Sequence, residues 1–293
     1  MIIAHSPRCL DYAIAGHPEC PERILTAVAE LEESDHIWIV PDPCADEDIL
    51  RVHTRGMIGA VKMGQFFDAD TPFFPNIYEL AQLAAGGAIL ASEQALAGHA
   101  AFSLMRPPGH HAERERVMGF CYFNNIAIAV ARLLNARGIQ RVAILDFDCH
   151  HGNGTEDIFL GDERVLFVSL HQSPCYPNTG LVSRKNCVNY PLAPGTGPVG
   201  FLAAFDDALA KIGEFKPEMF AISAGFDAYK LDPITQMSLE IDTFGTLGER
   251  IAKFCHTHGT GTQPLRSFGV LEGGYSRDFA RCVGAFVTHW GCP

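Results

Sequence analysis

The sequence predicts an α/β protein with a central, mostly parallel β-sheet and helices on both of its faces. Short apolar runs rich in β-branched residues alternate with longer segments of helical periodicity. Strands that are apolar on both faces and separated by helices are typical of a parallel sheet covered on both sides. The chain contains no linker, low-complexity tract or repeat of fixed period. We therefore expect one domain spanning residues 1–293.

The first half of the chain already shows this alternation. HIWIV (36–40) is short, apolar and β-branched, and predicts a strand. The segment 76–98 is far longer and has apolar residues at helical spacing, so it predicts a helix. AFSLM (101–105) predicts the next strand. The helix predicted over 124–138 has asparagines available for its N-terminal cap and Gly138 just past its end.

The second half continues the pattern with longer apolar runs. RVAILDFD (141–148) and RVLFVSL (164–170) predict two buried strands, and EMFAISAGF (218–226) and SFGVLEG (267–273) predict two more. Helical periodicity predicts three further helices, over 199–213, 239–258 and 277–289.

Composition and charge disfavour several classes of protein. The 293 residues are 47% hydrophobic and 19% charged, as in an ordinary soluble enzyme. A net charge of −12 disfavours direct nucleic-acid binding, which needs a basic surface, but would attract cationic substrates. No apolar run approaches the roughly 18 residues of a membrane span, and the first residues lack a signal-peptide pattern. Ten cysteines without a Cys-x-x-Cys pair indicate reduced thiols, so we expect a cytoplasmic protein.

Unusual polar residues follow four of the predicted strands. Ligands of parallel sheets bind at the carboxyl ends of the strands, where the loops leave the sheet. The segments at those ends are MRPPGHH (105–111), DFDCHHGNG (146–154), SAGFD (223–227) and LEGGY (271–275).

The segment DFDCHHGNG has the spacing of a metal site. Side chains alternate along a strand, so Asp146, Asp148 and His150 share one side, and Asp148 and His150 could reach a single cation. Carboxylate oxygen and imidazole nitrogen suit Zn²⁺, which in catalytic sites takes three protein ligands and leaves one position open. Asp227, at the end of another predicted strand, is the candidate for the third ligand. Acids and histidines also occur as salt-bridged loop anchors, so the segment alone leaves both interpretations open.

Two further segments could contribute to the same site. Pro107 and Pro108 stiffen the turn that presents His110 and His111, which could be metal ligands, acid/base groups or structural residues. In LEGGYS, the glycines would let Tyr275 project from a strand end, although such a tyrosine is by default a packed aromatic.

Together these residues resemble the zinc-dependent histone deacetylase family, which includes acetylpolyamine amidohydrolases and related bacterial amidohydrolases. The motifs HHGNGT and GFCYFNN are similar to those of the class II branch and its bacterial relatives. The resemblance implies an arginase-like α/β domain. The matching segments, which cover nearly the whole chain, are HPECPERI (17–24), ILRVHT (49–54), RPPGHHA (106–112), GFCYFNNIAIA (119–129), ILDFDCHHGNGTEDIF (144–159), VSLHQSPCYPNTG (168–180), SAGFDA (223–228) and LEGGY (271–275).

The resemblance implies a role for each residue of the site. Asp148, His150 and Asp227 would hold one Zn²⁺ or Fe²⁺, which would activate water and polarise the amide carbonyl. His111 would act as general base and later as general acid, with His110 as its electrostatic companion. The remaining implied roles are a hydrogen bond from Tyr275 to the carbonyl oxygen, orientation of His110 by Asp146, and orientation of His111 by Asn153.

Asn153 stands where many family members have aspartate. Asparagine can accept a hydrogen bond from His111 but supplies no full charge, so we predict a less basic His111 than an aspartate would give.

The resemblance also implies a narrow acyl-lysine tunnel and a second cation. Phe120 and Tyr176 would flank the aliphatic chain of the substrate, although without the resemblance both would be interpreted as packed aromatics. Asp70 would hold substrate backbone amides at the rim. The other implied residues are Gly119 in the tunnel wall, Gly273 at the substrate-binding end, and Asp146, Asp148, Ser169 and Leu170 around a structural K⁺ or Na⁺.

The implied activity is deacetylation of acyl-lysine in proteins or peptides, or of another small N-acyl amine. An acetylpolyamine substrate is the alternative, but Ile234 stands where the eukaryotic polyamine type has glutamate, and 17–24 carries no insertion that would narrow the entrance. An arginase-like ureohydrolase, which needs two metal ions, and a non-catalytic binder of acyl-lysine are less favoured, because one complete set of ligands, histidines and Tyr275 is present. A homo-oligomer is compatible with the sequence.

Overall fold

Eight strands form one sheet in the computed structural model, which describes residues 1–291. The strands are β1 (Ile2–Ala4), β2 (Ile37–Ile39), β3 (Ala101–Ser103), β4 (Val142–Asp146), β5 (Val165–Gln172), β6 (Cys187–Leu192), β7 (Met219–Ala224) and β8 (Arg266–Leu271). Their order along the sheet is β2-β1-β3-β8-β7-β4-β5-β6, and each of these pairings is parallel. The sequence predicted a mostly parallel sheet in an α/β protein, and this fold class is confirmed.

Helices connect the strands and cover both faces of the sheet. They are α1 (Pro21–Leu31), α2 (Asp46–Ile49), α3 (Arg55–Met63), α4 (Ile77–Leu96), α5 (Asn125–Ala136), α6 (Asn153–Phe159), α7 (Pro198–Phe215), α8 (Ile241–His258) and α9 (Phe279–Gly291), with a 3₁₀ turn at Pro7–Leu10. Because side chains alternate along β4, Ala143 and Leu145 belong to the buried cluster that includes residues of α1, α7, α8 and α9, whereas Val142 and Ile144 belong to the cluster that includes residues of α3, α5 and α6. Helix α4 packs on β1, β3 and β8.

The six predicted strands and five predicted helices are all present, but the sequence missed six elements. Two of them are strands: β1 has three residues, and β6 contains Pro191 and lies at the sheet edge, where proline is tolerated. The missed helices are α1, α2, α3 and α6. Helix α1 begins with Pro21, a start signal that was overlooked, while α2 and α6 are too short for a clear period.

Strand β4 ends two residues earlier than predicted, at Asp146 rather than at residue 148. The alternation of side chains nevertheless continues past its end, since Phe147 and Cys149 are buried in the core beneath α7 to α9. Asp146, Asp148 and His150 therefore face away from that core, as predicted.

The strand order explains how distant segments meet. Strands β3, β8, β7, β4 and β5 are consecutive neighbours, so their carboxyl ends share one edge of the sheet. Four of the segments at this edge are those that the sequence singled out, and the fifth, 173–180, follows β5. Segments that are far apart in the sequence, from residue 106 to residue 275, therefore lie at one edge of the sheet.

Two observations bear on the environment of the protein. The nine cysteines among residues 1–291 are all free thiols. No helix in this part of the chain is both long and apolar enough to cross a membrane.

Candidate active site

Three buried side chains at the sheet edge form a group that could hold a metal ion. Asp148 and His150 follow β4, and Asp227 follows β7. His150 Nδ1 lies 3.1 Å from Asp148 Oδ1 and 2.9 Å from Asp227 Oδ2. No donor in residues 1–291 is aligned for a hydrogen bond with Asp227 Oδ2. Two carboxylates and an imidazole converging around a buried oxygen that lacks a hydrogen bond fit a shared divalent cation.

Backbone N–H groups orient both carboxylates of this group. Asp148 accepts hydrogen bonds from the backbone of His150 at 2.9 Å and of Gly273 at 2.8 Å, and Asp227 accepts one from Cys149 at 2.7 Å. A Cβ at Gly273 would lie 2.6 Å from Asp148 Oδ2 and from Asp227 Oδ2, so only glycine allows this approach. Gly273 also lines the adjacent pocket, where the sequence predicted it at the substrate-binding end.

The two histidines after β3 lie side by side above the metal-ligand group. Their ring centroids are 4.0 Å apart, and His110 Nδ1 is 3.0 Å from Asp146 Oδ2. Burial alone would lower the pKa of His110, but the charges of Asp148 and Asp146 raise it to about 10. Burial and the neighbouring positive charge of His110 hold the pKa of His111 well below its ordinary value. The pKa values of the two adjacent imidazoles are therefore shifted in opposite directions, which favours the protonated form of His110 and the neutral form of His111.

Asn153, the first residue of α6, contacts His111. Its Oδ1 lies 2.7 Å from His111 Nδ1, while its Nδ2 donates to Glu113 Oε1 at 2.8 Å. A carboxylate can only accept, so Glu113 fixes which end of the Asn153 amide faces the histidine. Glu113 was not singled out from the sequence, although it lies two residues after His111.

Glu272 is a second residue that the sequence reasoning missed. It is fully buried, and its Oε2 accepts from the backbone of Gly109 at 2.7 Å and of His110 at 3.1 Å, while Oε1 accepts from Ser223 Oγ at 3.1 Å. Burial raises the pKa of Glu272 to about 7. An acid directly before two glycines at a buried strand end was the signal that could have drawn attention to it.

The turn that carries Tyr275 is held from two sides. Arg23, buried on α1, donates to Gly274 O at 2.6 Å and Glu272 O at 2.7 Å, and its guanidinium lies 4.7 Å from the centroid of the Tyr275 ring. The Tyr275 N–H donates to Asp232 at 2.7 Å. Burial raises the pKa of the Tyr275 phenol well above its ordinary value, so the phenol keeps its proton. The sequence reasoning identified neither Arg23 nor Asp232.

A pocket of about 410 Å³ opens above these groups. His110, His111, His150, Gly273 and Tyr275 line its inner end. Its walls and mouth are lined by His17, Pro18, Ala69, Asp70, Pro108, Gly119, Phe120, Cys175, Tyr176 and Ile234. A larger cavity of about 870 Å³ lies at the opposite edge of the sheet and is lined by none of the predicted site residues.

Loops position the residues of the pocket wall. Phe120 has a φ of 69°, and its N–H donates to Thr71 Oγ1 at 2.8 Å, while Gly119 donates to Asp68 at 3.2 Å. Tyr176 packs edge-on against His111, with ring centroids 5.2 Å apart. Asp70 is exposed at the mouth, where its carbonyl lies 3.1 Å from His17 Nε2. All five predicted pocket residues, including Gly273, thus reach the pocket, and Thr71 and Asp68 are supports that were not predicted.

The residues predicted around a monovalent cation lie beneath this site. Asp146 pairs with Ser169 in the register of β4 and β5. Asp146 Oδ1 accepts from the backbone of Asp148 at 3.1 Å, and Ser169 Oγ lies 2.9 Å from His171 Nδ1. Leu170 is buried in the core. The cation itself stays a prediction.

The histone deacetylase domain family matches residues 17–290 of the chain. The chain belongs to this family. The protein named "Probable deacetylase" of Archaeoglobus fulgidus is 41% identical to this deacetylase-family chain, with the alignment covering 89% of this chain and 77% of the relative. The "Histone deacetylase-like amidohydrolase" of Pseudomonas aeruginosa is 37% identical over 94% of this chain and 77% of its own. The resemblance predicted from the sequence is confirmed.

Among solved structures, the acetylpolyamine aminohydrolase of Burkholderia pseudomallei superposes on this deacetylase-family chain with a TM-score of 0.90. The match covers 100% of this chain and 99% of that one at 28% sequence identity. The chain is therefore a histone deacetylase-family amidohydrolase with an Asp-His-Asp group suited to a metal.

Proposed function

We propose that the chain is a Zn²⁺-dependent deacetylase that removes acetyl or other acyl groups from N-acylated lysine side chains, or from a similar small N-acyl amine. One observation carries this proposal. Asp148, His150 and Asp227 form a buried metal-ligand group, and His150 lines the same pocket as His111 and Tyr275. A metal site, a neutral histidine and a protonated phenol around one pocket are the groups that amide hydrolysis needs.

Zn²⁺ held by Asp148, His150 and Asp227 would supply a Lewis acid that lowers the pKa of water and polarises an amide carbonyl. His111 is the proposed acceptor of the proton from the attacking water. Because Asn153 Oδ1 faces His111 Nδ1, that nitrogen carries the ring proton and Nε2 can accept. Nε2–H then donates to the leaving amine as the C–N bond breaks, which yields a carboxylic acid and a free amine.

Two neighbours complete the proposed chemistry. The Tyr275 hydroxyl, which stays protonated because burial raises its pKa, would donate to the carbonyl oxygen as negative charge develops there. His110, whose Nδ1 lies 3.0 Å from Asp146 Oδ2, would stabilise the same charge, and burial together with His110 would keep His111 neutral until it accepts a proton.

The pocket favours an acyl-lysine over a polyamine. Gly119, Phe120 and Tyr176 would flank an aliphatic chain, and Asp70 at the mouth would accept from substrate backbone amides. Ile234 lines the pocket where a polyamine enzyme of the eukaryotic type would place a carboxylate, so it offers a polyammonium chain no charge. The similarity to the Burkholderia enzyme supports acetylpolyamine deacetylation as the second candidate.

We further propose one Zn²⁺ per chain, with Fe²⁺ as the alternative metal. A structural K⁺ or Na⁺ would be held near Asp146, Asp148, Ser169 and Leu170. The free thiols support a reducing, cytoplasmic setting. The proposed partner is an acylated protein or peptide, which would be the substrate.

Replacing Tyr275 with phenylalanine tests the mechanism. We expect Tyr275→Phe to lower kcat by about 10²- to 10³-fold, because one donor to the developing oxyanion is lost. Turnover would be measured with acetyl-lysine peptides, longer acyl-lysines, acetylspermidine and acetylputrescine, before and after chelation and after Zn²⁺ is restored. Tyr190→Phe is the control, because the Tyr190 hydroxyl donates to Asp207 on the protein surface.

Each outcome of this experiment is decisive. Unchanged turnover after metal removal and in Tyr275→Phe would exclude the mechanism. Preference for acetylpolyamines by orders of magnitude would select the second candidate. Urea release with two ions per chain would instead identify a ureohydrolase.

A further inference from the structure

Two buried histidines beside the site take no part in the proposed chemistry. His151 directly follows the metal-ligand residue His150, and His171 is near the end of β5. Their ring centroids lie 4.7 Å apart, and both contact the end of the segment 173–180. We call this segment the Tyr176 loop, because it carries Tyr176 into the pocket wall.

His151 connects the Tyr176 loop to helix α6. Its Nε2 lies 3.2 Å from Glu156 Oε2, and its Nδ1 lies 2.8 Å from Thr179 Oγ1. Glu156 can only accept when ionised, and hydrogen bonds from His151 and Asn189 keep its pKa below the ordinary value despite burial. The Nε2 proton of His151 therefore points to Glu156, and Nδ1 shares a hydrogen bond with the Thr179 hydroxyl. Glu156 thereby orients the His151 ring, and the ring in turn holds Thr179 of the loop.

His171 makes the second contact with the same end of the loop. Its Nε2 lies 3.1 Å from Gly180 O. A Cβ at Gly180, whose φ is +72°, would come within 2.7 Å of both histidine rings, so glycine allows the loop to pass directly over them.

The start of the Tyr176 loop is held by Gln172, whose Nε2 donates to Pro174 O at 3.3 Å, and the rest of the loop has little backbone support. Within residues 1–291, the backbone N–H groups of 174–180 make one backbone hydrogen bond, from Asn178 to Cys175 inside the loop. Ser173 at its start donates to Leu192 O at 2.8 Å. Side chains on α6 and β5, rather than a backbone ladder, therefore determine where the far end of the loop lies.

We propose that His151 is a positioning residue that, through its hydrogen bond with Thr179, holds the Tyr176 loop in place and thereby sets the width of the pocket for the acyl-lysine chain. This inference rests on the proposed function, since Tyr176 is taken to flank the substrate. It gives His151, whose neighbour His150 belongs to the metal-ligand group, a separate task in substrate recognition.

The hydrogen bond can be removed from either end. Thr179 is exposed, so Thr179→Val should fold normally, and Thr179→Ser keeps the hydroxyl as the matched control. We expect Thr179→Val and His151→Gln each to raise KM for an acetyl-lysine peptide roughly three- to tenfold, with kcat within about twofold. Thr179→Ser should match the wild type. Combining Thr179→Val with His151→Gln should add little to either single change, because both remove the same interaction.

Cys175, a half-buried free thiol on the Tyr176 loop, reports loop position without any turnover. We expect iodoacetamide to alkylate Cys175 roughly three- to tenfold faster in Thr179→Val and His151→Gln than in the wild type or Thr179→Ser. Cys20, the other half-buried thiol among residues 1–291, is the internal control and should be unaffected. Metal content would be matched across the variants.

The two readouts separate the possible failures. Unchanged alkylation of Cys175, or faster alkylation without a change in KM, would overturn the inference, as would strictly additive effects in the double variant. Faster alkylation in a protein that deacetylates no substrate would instead refute the proposed function while leaving the anchoring of the loop intact.

Discussion

The inner end of the pocket and its wall are built in different ways. We call His110, His111, Asp148, His150 and Asp227 the floor, and Phe120 and Tyr176 the wall. Every floor residue is buried and lies in a loop that follows a sheet strand. Carboxylates or backbone N–H groups contact four of them, and the Asn153 amide oxygen contacts His111. The wall residues are half-buried and lie on loops. The floor therefore has fixed positions and charges, while the wall can change width more readily.

This contrast predicts that substitutions of residues that support the floor alter kcat, whereas substitutions in the wall alter KM or stability. Glu272 provides the strongest test of the first half, because it contacts the backbone of both Gly109 and His110 and touches no substrate. Glutamine can preserve these contacts, with its oxygen toward the two N–H groups and its amide toward Ser223, so Glu272→Gln removes mainly the charge.

We expect Glu272→Gln to lower kcat roughly tenfold with KM nearly unchanged, as for other groups that orient catalytic side chains. The free energy of unfolding of the variant should instead be higher than that of the wild type. Burial raises the pKa of Glu272 to about 7, above its unfolded value, so ionisation destabilises the folded wild type progressively from about pH 4.5 to 7. The variant should therefore gain roughly 2–3 kcal/mol relative to the wild type across that interval.

Denaturant unfolding of both proteins at pH 5 and pH 8, together with steady-state kinetics, measures these effects. Ser223→Ala is the control, because it removes the partner of Oε1 and leaves both backbone contacts. A kcat equal to that of the wild type, or a stability difference independent of pH, would contradict this account of Glu272.

Asn153, which contacts the floor residue His111, provides a second test of the floor. A carboxylate in place of the Asn153 amide would favour the imidazolium form of His111 and raise its pKa. His111 would then lose its base form at a higher pH, so the acidic limb of the kcat/KM profile should move upward by about one unit.

Glu113 complicates that substitution, since it accepts from Asn153 Nδ2 at 2.8 Å. In Asn153→Asp alone, two carboxylates would face each other and the shift should be small. Adding Glu113→Gln restores a donor at that position, so the double variant should show the full shift and Glu113→Gln alone little change. A profile that does not move in the double variant argues against the predicted effect of asparagine on His111.

The sequence could predict the sheet and the positions of the floor residues because both depend on short-range patterns. Apolar runs marked the strands, and period-two alternation placed Asp148 and His150 on one side. Glu272 and Arg23 escaped prediction because their contacts join residues that are 163 and 251 positions apart, and only the strand order brings them together. The contact of His151 with Thr179 depends likewise on a loop conformation that no periodicity encodes.

Tyr176 gives the smallest expected effect and tests the wall directly. Its ring lines the pocket, but its hydroxyl is buried and has no hydrogen-bond partner among residues 1–291. A buried hydroxyl without a partner costs about 1–3 kcal/mol, and phenylalanine keeps the ring that would flank the substrate. We therefore expect Tyr176→Phe to raise the free energy of unfolding by about 1 kcal/mol while kcat and KM stay within about twofold of the wild type.

Denaturant unfolding with the same substrate panel measures this difference. Tyr229→Phe is the matched control, because the Tyr229 hydroxyl donates to Asp278 at 2.9 Å and its removal should destabilise the protein. A Tyr176→Phe variant that is less stable than the wild type would show that the hydroxyl has a partner, such as an ordered water. The wall would then be held more rigidly than its position on loops indicates.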